Sequence, residues 1–277
     1  MTGPHHGLFD GLYDDAAIFP PGNGPLDEAV PAHRAWLRSP YAGLVGVFVC
    51  AAARLDELVA LGADFPVSVT YPPAVEAPGV EEAVYGRHET HETLDIASVE
   101  VPFAEDRWDL LAAAVRRTRV FAEVALGDLT PALAERLGGA GMLLKVRTGG
   151  AEASMFPTAA ALAGGITTAV AAGLPFKLTA GLHNLLRHRD PATGFEHHGF
   201  GNVLAATASA LGGAGADEVA RVLDTTDADT VAGLLRGLSA TEIGAVRRQF
   251  LSFGTCSIQE PLDDLAALGL LPAGADA

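Results

Sequence analysis

The chain has 277 residues, with 18 Lys plus Arg against 34 Asp plus Glu, giving a formal net charge of −16. That length suits one large single-core domain or two small ones, and 49% apolar residues are ample for a core and too many for disorder. A surface this acidic repels phosphate backbones and anionic lipid, so the expected partner is a small-molecule substrate, with no nucleic acid and no membrane.

Taken in chain order, strand-like runs lie at Ala16–Pro20, Leu44–Cys50, Phe65–Tyr71, Ile96–Phe103, Arg119–Leu126, Met142–Arg147, Pro175–Ala180 and Phe250–Cys256. Helix-like runs lie between or after them at Leu26–Arg38, Ala52–Leu61, Glu105–Arg117, Pro131–Leu137, Pro157–Ala172, Asn202–Leu211 and Pro261–Leu268. Gly79–Arg87 is a weaker helix candidate, and Pro31 is expected to kink or shorten the first helix. Strand and helix alternating in units of roughly 30 residues predict a (β/α)8 TIM-type barrel. It would be one domain over 1–277, with a doubly wound open sheet as the competing arrangement. The stretch from His183 to Gln249 is too long for one helix. An insertion over about 184–249 therefore elaborates the seventh βα loop, on the face where barrels place their sites. Ser239 with Glu242 fits a capping box for its last helix.

No uninterrupted apolar run approaches the roughly 20 residues of a membrane span. Met1–Gly7 lacks a basic-then-apolar leader pattern. Two cysteines make no disulfide framework, so a reducing cytoplasm is the expected location. Ala- and Leu-rich helices permit a homo-oligomer without requiring one.

Alternation along the strands divides their two faces. Val99, Val101, Val120, Ala122, Leu144, Val146, Phe176, Leu178, Leu251 and Phe253 form the face expected against the helices. The opposite face, expected inside the barrel, carries Glu100, Glu123, Lys145, Arg147, Lys177, Thr179 and Ser252. A barrel interior without a task is filled by Val, Ile and Leu. Desolvating an ion costs several kcal/mol. Two readings follow: a buried salt-bridge network that closes the barrel, or a polar site at the C-terminal ends of the strands, which the clustering favours.

Two lysines on adjacent strands suit amine chemistry. A Lys beside another cation in a dry pocket loses its proton more easily, and the free amine forms a Schiff base with a carbonyl. Met142-Leu-Leu-Lys-Val-Arg147 followed by Phe176-Lys-Leu-Thr-Ala-Gly181 resembles the sixth and seventh strands of class I deoxyribose-phosphate aldolases. The resemblance implies Lys145 as the Schiff-base nucleophile and Lys177 as the neighbour that lowers its pKa. Arg147 has no counterpart in it, and Phe250–Cys256 lacks the Gly-Gly phosphate turn of that family. The expected reaction is therefore an aldolase-like lyase acting on a small anionic carbonyl compound, with Arg147 holding the anion. Glu123 and His183 would move protons, and no cofactor would be needed. Lys145 and Arg147 also fit a substrate-carboxylate clamp, or partners of Glu123, with no covalent role.

Over nearly its whole length the chain also resembles a widespread bacterial family to which no activity is attached. The carrying segments are Asp14–Pro21, Lys145–Gly150, Phe176–His183, His197–Asn202 and Ser252–Pro261.

The remaining candidates each have a plain structural reading. His183, His197 and His198 with Glu100 and Glu123 would make a divalent-metal site for a hydrolase or isomerase, the alternative enzyme class. A non-catalytic barrel that binds an anionic metabolite is the third. His183 serves equally as a general acid/base or as a loop histidine that ties down the insertion. His88 and His91 mimic part of a zinc motif with the wrong spacing and read as a solvated loop. Thr148-Gly149-Gly150 is either an anion nest or a turn. Ser257 with Glu260 reads as a helix cap, Asp15 as a turn cap or a mouth residue, and Cys50 and Cys256 as inert thiols.

Overall fold

In the computed structural model, which describes residues 7–72 and 93–271, eight parallel strands close into a barrel. The strands are β1 (Tyr13–Asp15), β2 (Val45–Ala51), β3 (Val67–Thr70), β4 (Ile96–Pro102), β5 (Arg119–Glu123), β6 (Leu143–Arg147), β7 (Phe176–Thr179) and β10 (Phe250–Thr255). Around the barrel they run β1-β10-β7-β6-β5-β4-β3-β2, every pairing parallel, and β2 pairs with β1 to close the ring. This is the (β/α)8 fold. The expected helices and seven of the eight expected strands fall within a few residues of the observed elements. Gly79–Arg87, His88 and His91 lie outside the described residues.

The first strand was misplaced by the sequence pattern. Ala16–Pro20 is not β1 but the turn beyond it, where the Phe19 N–H donates to the Ala16 carbonyl. Its apolar Ala17 and Ile18 pack against the core without joining the ladder. A short apolar run does not by itself distinguish a strand from a packed turn. The true strand is polar because Asp14 and Asp15 both have buried partners.

The helices seal the outward faces. They are α1 (Leu26–Trp36), α2 (Leu55–Ala60), α3 (Trp108–Ala114), α4 (Pro131–Gly139) and α5 (Ala159–Ala171), then α6 (Phe200–Leu211), α7 (Ala216–Asp224), α8 (Ala228–Arg236), α9 (Ala240–Gln249) and α10 (Gln259–Ala267). Side-chain caps fix several starts: Thr130 accepts from Leu133 N, Thr158 from Ala161 N and Asp227 from Thr230 N. The expected Ser239–Glu242 capping box opens α9. Pro31 does not stop α1, which runs on to Trp36. Ala153–Ala171 is apolar and long enough by composition to cross a membrane. Within it Leu162, Ala163, Ile166 and Ala169 of α5 are buried in the packed core.

The insertion after β7 holds a two-stranded ribbon (β8, His188–Arg189; β9, Glu196–His197) and helices α6 to α9. Its anchors are α6, buried on most sides, and an aromatic trio. Phe200 packs on Tyr13 and Phe253 at ring distances of 5.6 and 5.1 Å. Asn202 is the polar hinge pin. Its Oδ1 accepts from Arg187 N at 2.8 Å, and its Nδ2 donates to the carbonyls of Val222 and Thr225 at 2.9 and 2.7 Å. Asn202 is itself fully buried, and its removal takes the acceptor from the Arg187 N–H and the donor from the Thr225 carbonyl. Asn202→Ala is expected to cost about 3 kcal/mol, since a buried unpaired group costs roughly 1–3 kcal/mol. Urea unfolding measures it, and a loss below about 1 kcal/mol would show that the hinge does not depend on this side chain.

Candidate functional site

Inside the barrel, opposite charges alternate from strand to strand. Ser252 Oγ donates to Asp14 Oδ2 at 2.7 Å. Lys177 Nζ lies 2.6 Å from both Asp14 Oδ2 and Glu100 Oε1. The other oxygen of Glu100, Oε2, meets Lys145 Nζ at 2.7 Å. Lys145 Nζ then reaches Glu123 Oε2 at 2.9 Å, and Glu123 Oε1 accepts from Arg147 Nε at 3.2 Å. Ser98 and Ser68 continue the network beneath: Ser98 Oγ donates to Ser68 Oγ, which donates to Glu100 Oε1, each at 2.7 Å. The ring of Phe121 lies 5.2 Å from Lys177 Nζ.

Register explains the convergence. Lys145 is paired with Lys177 and with Glu123 across neighbouring strands, so their side chains stand side by side on one face. Glycine makes room on the β1–β2 side. A Cβ on Gly46 would overlap Asp14 Oδ1, which also accepts from Val47 N at 3.2 Å.

The network grades from dry to wet. Glu100 and Lys177 are buried, as is Lys145 at 4% side-chain exposure, whereas Glu123 is 21% and Arg147 45% exposed. The exposed end lies at the C-terminal ends of β5 and β6, the mouth of the barrel. Burial alone would raise the Glu100 pKa, but Lys145 and Lys177 outweigh it and hold the carboxyl far below its usual range. Burial likewise works to lower Lys177, yet Asp14 and Glu100 hold its ammonium above its usual range. The expected part of Lys177 is to lower the pKa of Lys145, and Asp14 and Glu100 do keep Lys177 cationic. Glu100 stands between the two ammonium groups and screens one from the other. Glu123 follows the same pattern as Glu100, lowered by Lys145 and Arg147 against the effect of burial.

The other expected site residues fall elsewhere. His183, just past β7, places Nδ1 3.1 Å from Glu260 Oε2, 3.3 Å from Thr255 Oγ1 and 3.7 Å from Cys256 Sγ. Burial lowers its pKa, with Glu260 opposing. The Glu260 carboxylate goes to His183, while Ser257 Oγ accepts from Glu260 N, so only half of the expected cap forms. His198 is buried with Nε2 2.8 Å from the Pro157 carbonyl, where it ties the insertion to the loop after β6. Thr179 lies on the mouth side beside Gly254 and Arg147 in register. Gly149 is a packing residue: a Cβ there would sit 2.9 Å from the Gly181 Cα. Gly150 accommodates Met155, whose side chain a Cβ would overlap.

Asp15 caps its own turn, accepting from Ala17 N at 3.1 Å, and contacts the buried His33 Nδ1 at 3.0 Å. Burial pushes the Cys50 thiol up to about 12. Among the described residues, no group of three or more His, Cys, Asp or Glu is placed to hold a metal ion. Sequence reasoning missed Asp14 and Ser68 as network members. Strand alternation reaches Ser68, between Val67 and Val69; Asp14 was hidden by the misplaced β1.

No protein-family model matches the chain, and neither does any curated protein sequence. Among solved structures, the chain is similar to Xanthomonas albilineans dihydropteroate synthase in complex with indole-2-carboxylic acid and 6-chloroguanine. The TM-score is 0.43 at 13% identity, covering 95% of this chain and 92% of that one. A second structure of that synthase, with 4-aminobenzoic acid, gives a TM-score of 0.32 at 13% identity, covering 79% and 83% of the two chains. Likeness at this level carries no functional argument, and the barrel assignment rests on the closed strand ladder. None of these comparisons bears on the aldolase resemblance of β6 and β7.

Glu100→Gln is expected to destabilise the fold by about 3–5 kcal/mol at pH 7, because two buried ammonium groups lose a shared counter-ion. The folded pKa of Glu100 is depressed, so its contribution is complete above the unfolded value of about 4.3 and lost as pH falls towards the folded value. Lys177 has the opposite sign: its contribution is complete below about pH 10.4 and lost as pH rises through its raised folded value. Thermal unfolding across pH tests this. The gap between wild type and Glu100→Gln should narrow below about pH 4, and a gap constant from pH 7 to 3 would contradict the assignment.

Proposed function

We propose that the chain is an enzyme of the Schiff-base, class I aldolase-like kind, with Lys145 as nucleophile and a small anionic carbonyl compound as substrate. The supporting observation is the position of Lys145 at the junction of the buried network and the exposed Glu123–Arg147 pair. A substrate entering the mouth meets the guanidinium first. Arg147 uses Nε on Glu123, which leaves its terminal amino groups available for a carboxylate or similar anion.

The reaction follows from that order. Lys145 passes a proton to Glu123, 2.9 Å away, and becomes a neutral amine. The amine attacks the substrate carbonyl carbon. Glu123 returns its proton to the carbinolamine hydroxyl, which leaves as water and forms a C=N bond whose nitrogen is again cationic. That cation accepts the electron pair of the breaking C–C bond and leaves an enamine. A proton must leave the hydroxyl of the departing fragment, and one must return to the enamine carbon. Glu123 is in reach at the rim, and His183, kept neutral by burial, is a second carrier near the end of β7.

Lys177 takes a different part from the one its resemblance implies. While Lys145 is neutral, Lys177 remains the counter-ion of Glu100. The dry carboxylate is never left unpaired, which would cost several kcal/mol. A metal-dependent hydrolase is not favoured by this arrangement, because Glu100 is shared by two lysines and His198 is bound to Pro157. The complete pairing of both lysines favours one second reading, a barrel that binds an anionic metabolite without turnover.

Borohydride reduction in the presence of small aldehydes and keto acids separates the two. Covalent labelling at Lys145 is expected, abolished in Lys145→Ala and reduced at least about tenfold in Glu123→Gln, since a positioned general base is worth roughly 10²-fold or more. No labelling with any carbonyl probe, or labelling that survives Lys145→Ala, removes the proposal. Anion-induced stabilisation without labelling supports the binding barrel.

A further inference from the structure

The chain's basic residues divide unevenly by type. Of 18 Lys plus Arg, only Lys145 and Lys177 are lysines, and both are buried inside the barrel. The rest are arginines, whose guanidinium keeps its proton at any ordinary pH, whereas an ammonium can give one up. The interior string thus holds every lysine amine of the chain. Lys145 is the one that also touches a partly exposed carboxylate, Glu123.

Arg147 decides where a substrate's charge falls. It lies two residues beyond Lys145 on the same face of β6, so their Cα atoms are roughly 7 Å apart. Lys145 Nζ takes Oε2 of Glu123 at 2.9 Å and Arg147 Nε takes Oε1 at 3.2 Å. One carboxylate therefore separates the amine from the guanidinium. An anion on the terminal amino groups of Arg147 lies close to the carbon that Nζ attacks. That span suits an anionic group bonded directly to the carbonyl carbon, and it does not suit a charge at the far end of a sugar chain.

Charge points the same way. In the proposed reaction the proton of Lys145 goes to Glu123, and both become neutral. Arg147 then keeps its charge without the carboxylate that balanced it, and one negative charge restores the balance. A carboxylate brings that charge, and its two oxygens match the fork of a guanidinium. A phosphate monoester brings about −1.5 to −2 at pH 7. The excess repels the Glu100 carboxylate, which meets Lys145 at 2.7 Å from below. The arginines in and beside the β8–β9 ribbon are already engaged: Arg187 with Glu196 and Asp224, and Arg189 with Glu196.

We infer, resting on the Schiff-base reading of Lys145, that the carbonyl compound is a 2-oxo acid, its keto carbon on Lys145 and its carboxylate on Arg147. In the cleavage direction the substrate is then a 4-hydroxy-2-oxo acid. With C2 held as the cationic C=N, the C3–C4 bond breaks and its electron pair forms the C2=C3 bond of the enamine. The C4 hydroxyl loses its proton and becomes a carbonyl. C3 then takes a proton, and water hydrolyses the C=N bond, releasing the 2-oxo acid and freeing the amine. One hydroxy-oxo acid yields one 2-oxo acid and one aldehyde or ketone, with no oxidant or reductant.

Borohydride reduction of the full chain with three ketones is the test, each adduct located by peptide mass spectrometry. Pyruvate is the 2-oxo acid. In 4-oxopentanoate the same single charge sits two carbons further from the carbonyl, and dihydroxyacetone phosphate carries a phosphate instead. Each rate is taken relative to that ketone's rate with a free amine in solution, and with two lysines in the chain few amines compete. Pyruvate is expected to label Lys145 at least about fivefold faster than either of the others. The pyruvate-to-4-oxopentanoate ratio is expected to fall at least about threefold in Arg147→Gln, because the fork that holds the carboxylate is lost. If that variant does not fold, the three wild-type rates carry the test. A smaller preference, a smaller fall in the ratio, or labelling by acetaldehyde and by no ketone overturns the 2-oxo acid and leaves the Schiff base at Lys145 standing. No labelling of Lys145 by any of the four compounds overturns both.

Discussion

Glu100 holds two ammonium groups at once, one on each carboxylate oxygen, in the interior of a closed barrel. The arrangement is a constraint before it is an asset. Three carboxylates (Asp14, Glu100 and Glu123) and three cations (Lys177, Lys145 and Arg147) are strung in alternation. Desolvating the buried members costs several kcal/mol per ion. Coulombic pairing offsets that cost only while each ion keeps its neighbours. Much of the surrounding sequence serves this requirement. Gly46 leaves space for the Asp14 carboxylate, Val47 N and Ser252 Oγ donate to it, and Ser68 donates to Glu100. Apolar side chains at these strand positions would make a simpler barrel. The polar string is consequently a feature that fold stability alone does not account for.

The gradient in exposure decides what the string can do. A closed set of ion pairs with no exposed end would be a plug. Here the last two members reach the mouth, and the ammonium just beneath them touches a carboxylate that faces partly toward water. Protons can therefore enter or leave at one end only. The buried end, Asp14–Lys177–Glu100, is held in its charged state from both sides. In that division of labour the deep ions fix charge and position, and the shallow Glu123–Arg147 pair faces the solvent. In the proposed reaction a covalent C=N link at Lys145 would restore the positive charge beside Glu100, which suits this surrounding as well as the resting ammonium does.

The fold was legible because its signal is redundant. Alternating apolar positions in β4 to β7 and β10, repeated helix patterns and a capping box at Ser239 all agree with one architecture. The inward face was legible for the same reason, since strand alternation assigns Glu100, Glu123, Lys145 and Lys177 without reference to partners. Asp14 escaped because a three-residue strand is too short for periodicity, and its acidic residues read as loop beside the apolar turn that follows. Pairing escaped entirely. Two adjacent lysines suggest mutual repulsion when read along the chain, and only the carboxylate from a strand 45 residues upstream of Lys145 reverses that conclusion. His198 and Asn202 were invisible as anchors because their partners, Pro157, Val222 and Thr225, are backbone carbonyls that no side-chain pattern marks.

At the mouth every basic group of the string is matched by an acid, and Arg147, which uses Nε on Glu123, keeps its terminal amino groups for an incoming anion in the proposed reaction. Matched charge lets a proton pass between neighbours in the string without changing its net charge. The deep pairs fix that balance and the exposed pair opens it to solvent, so the same alternation that makes the interior tolerable also sets where a substrate would meet it.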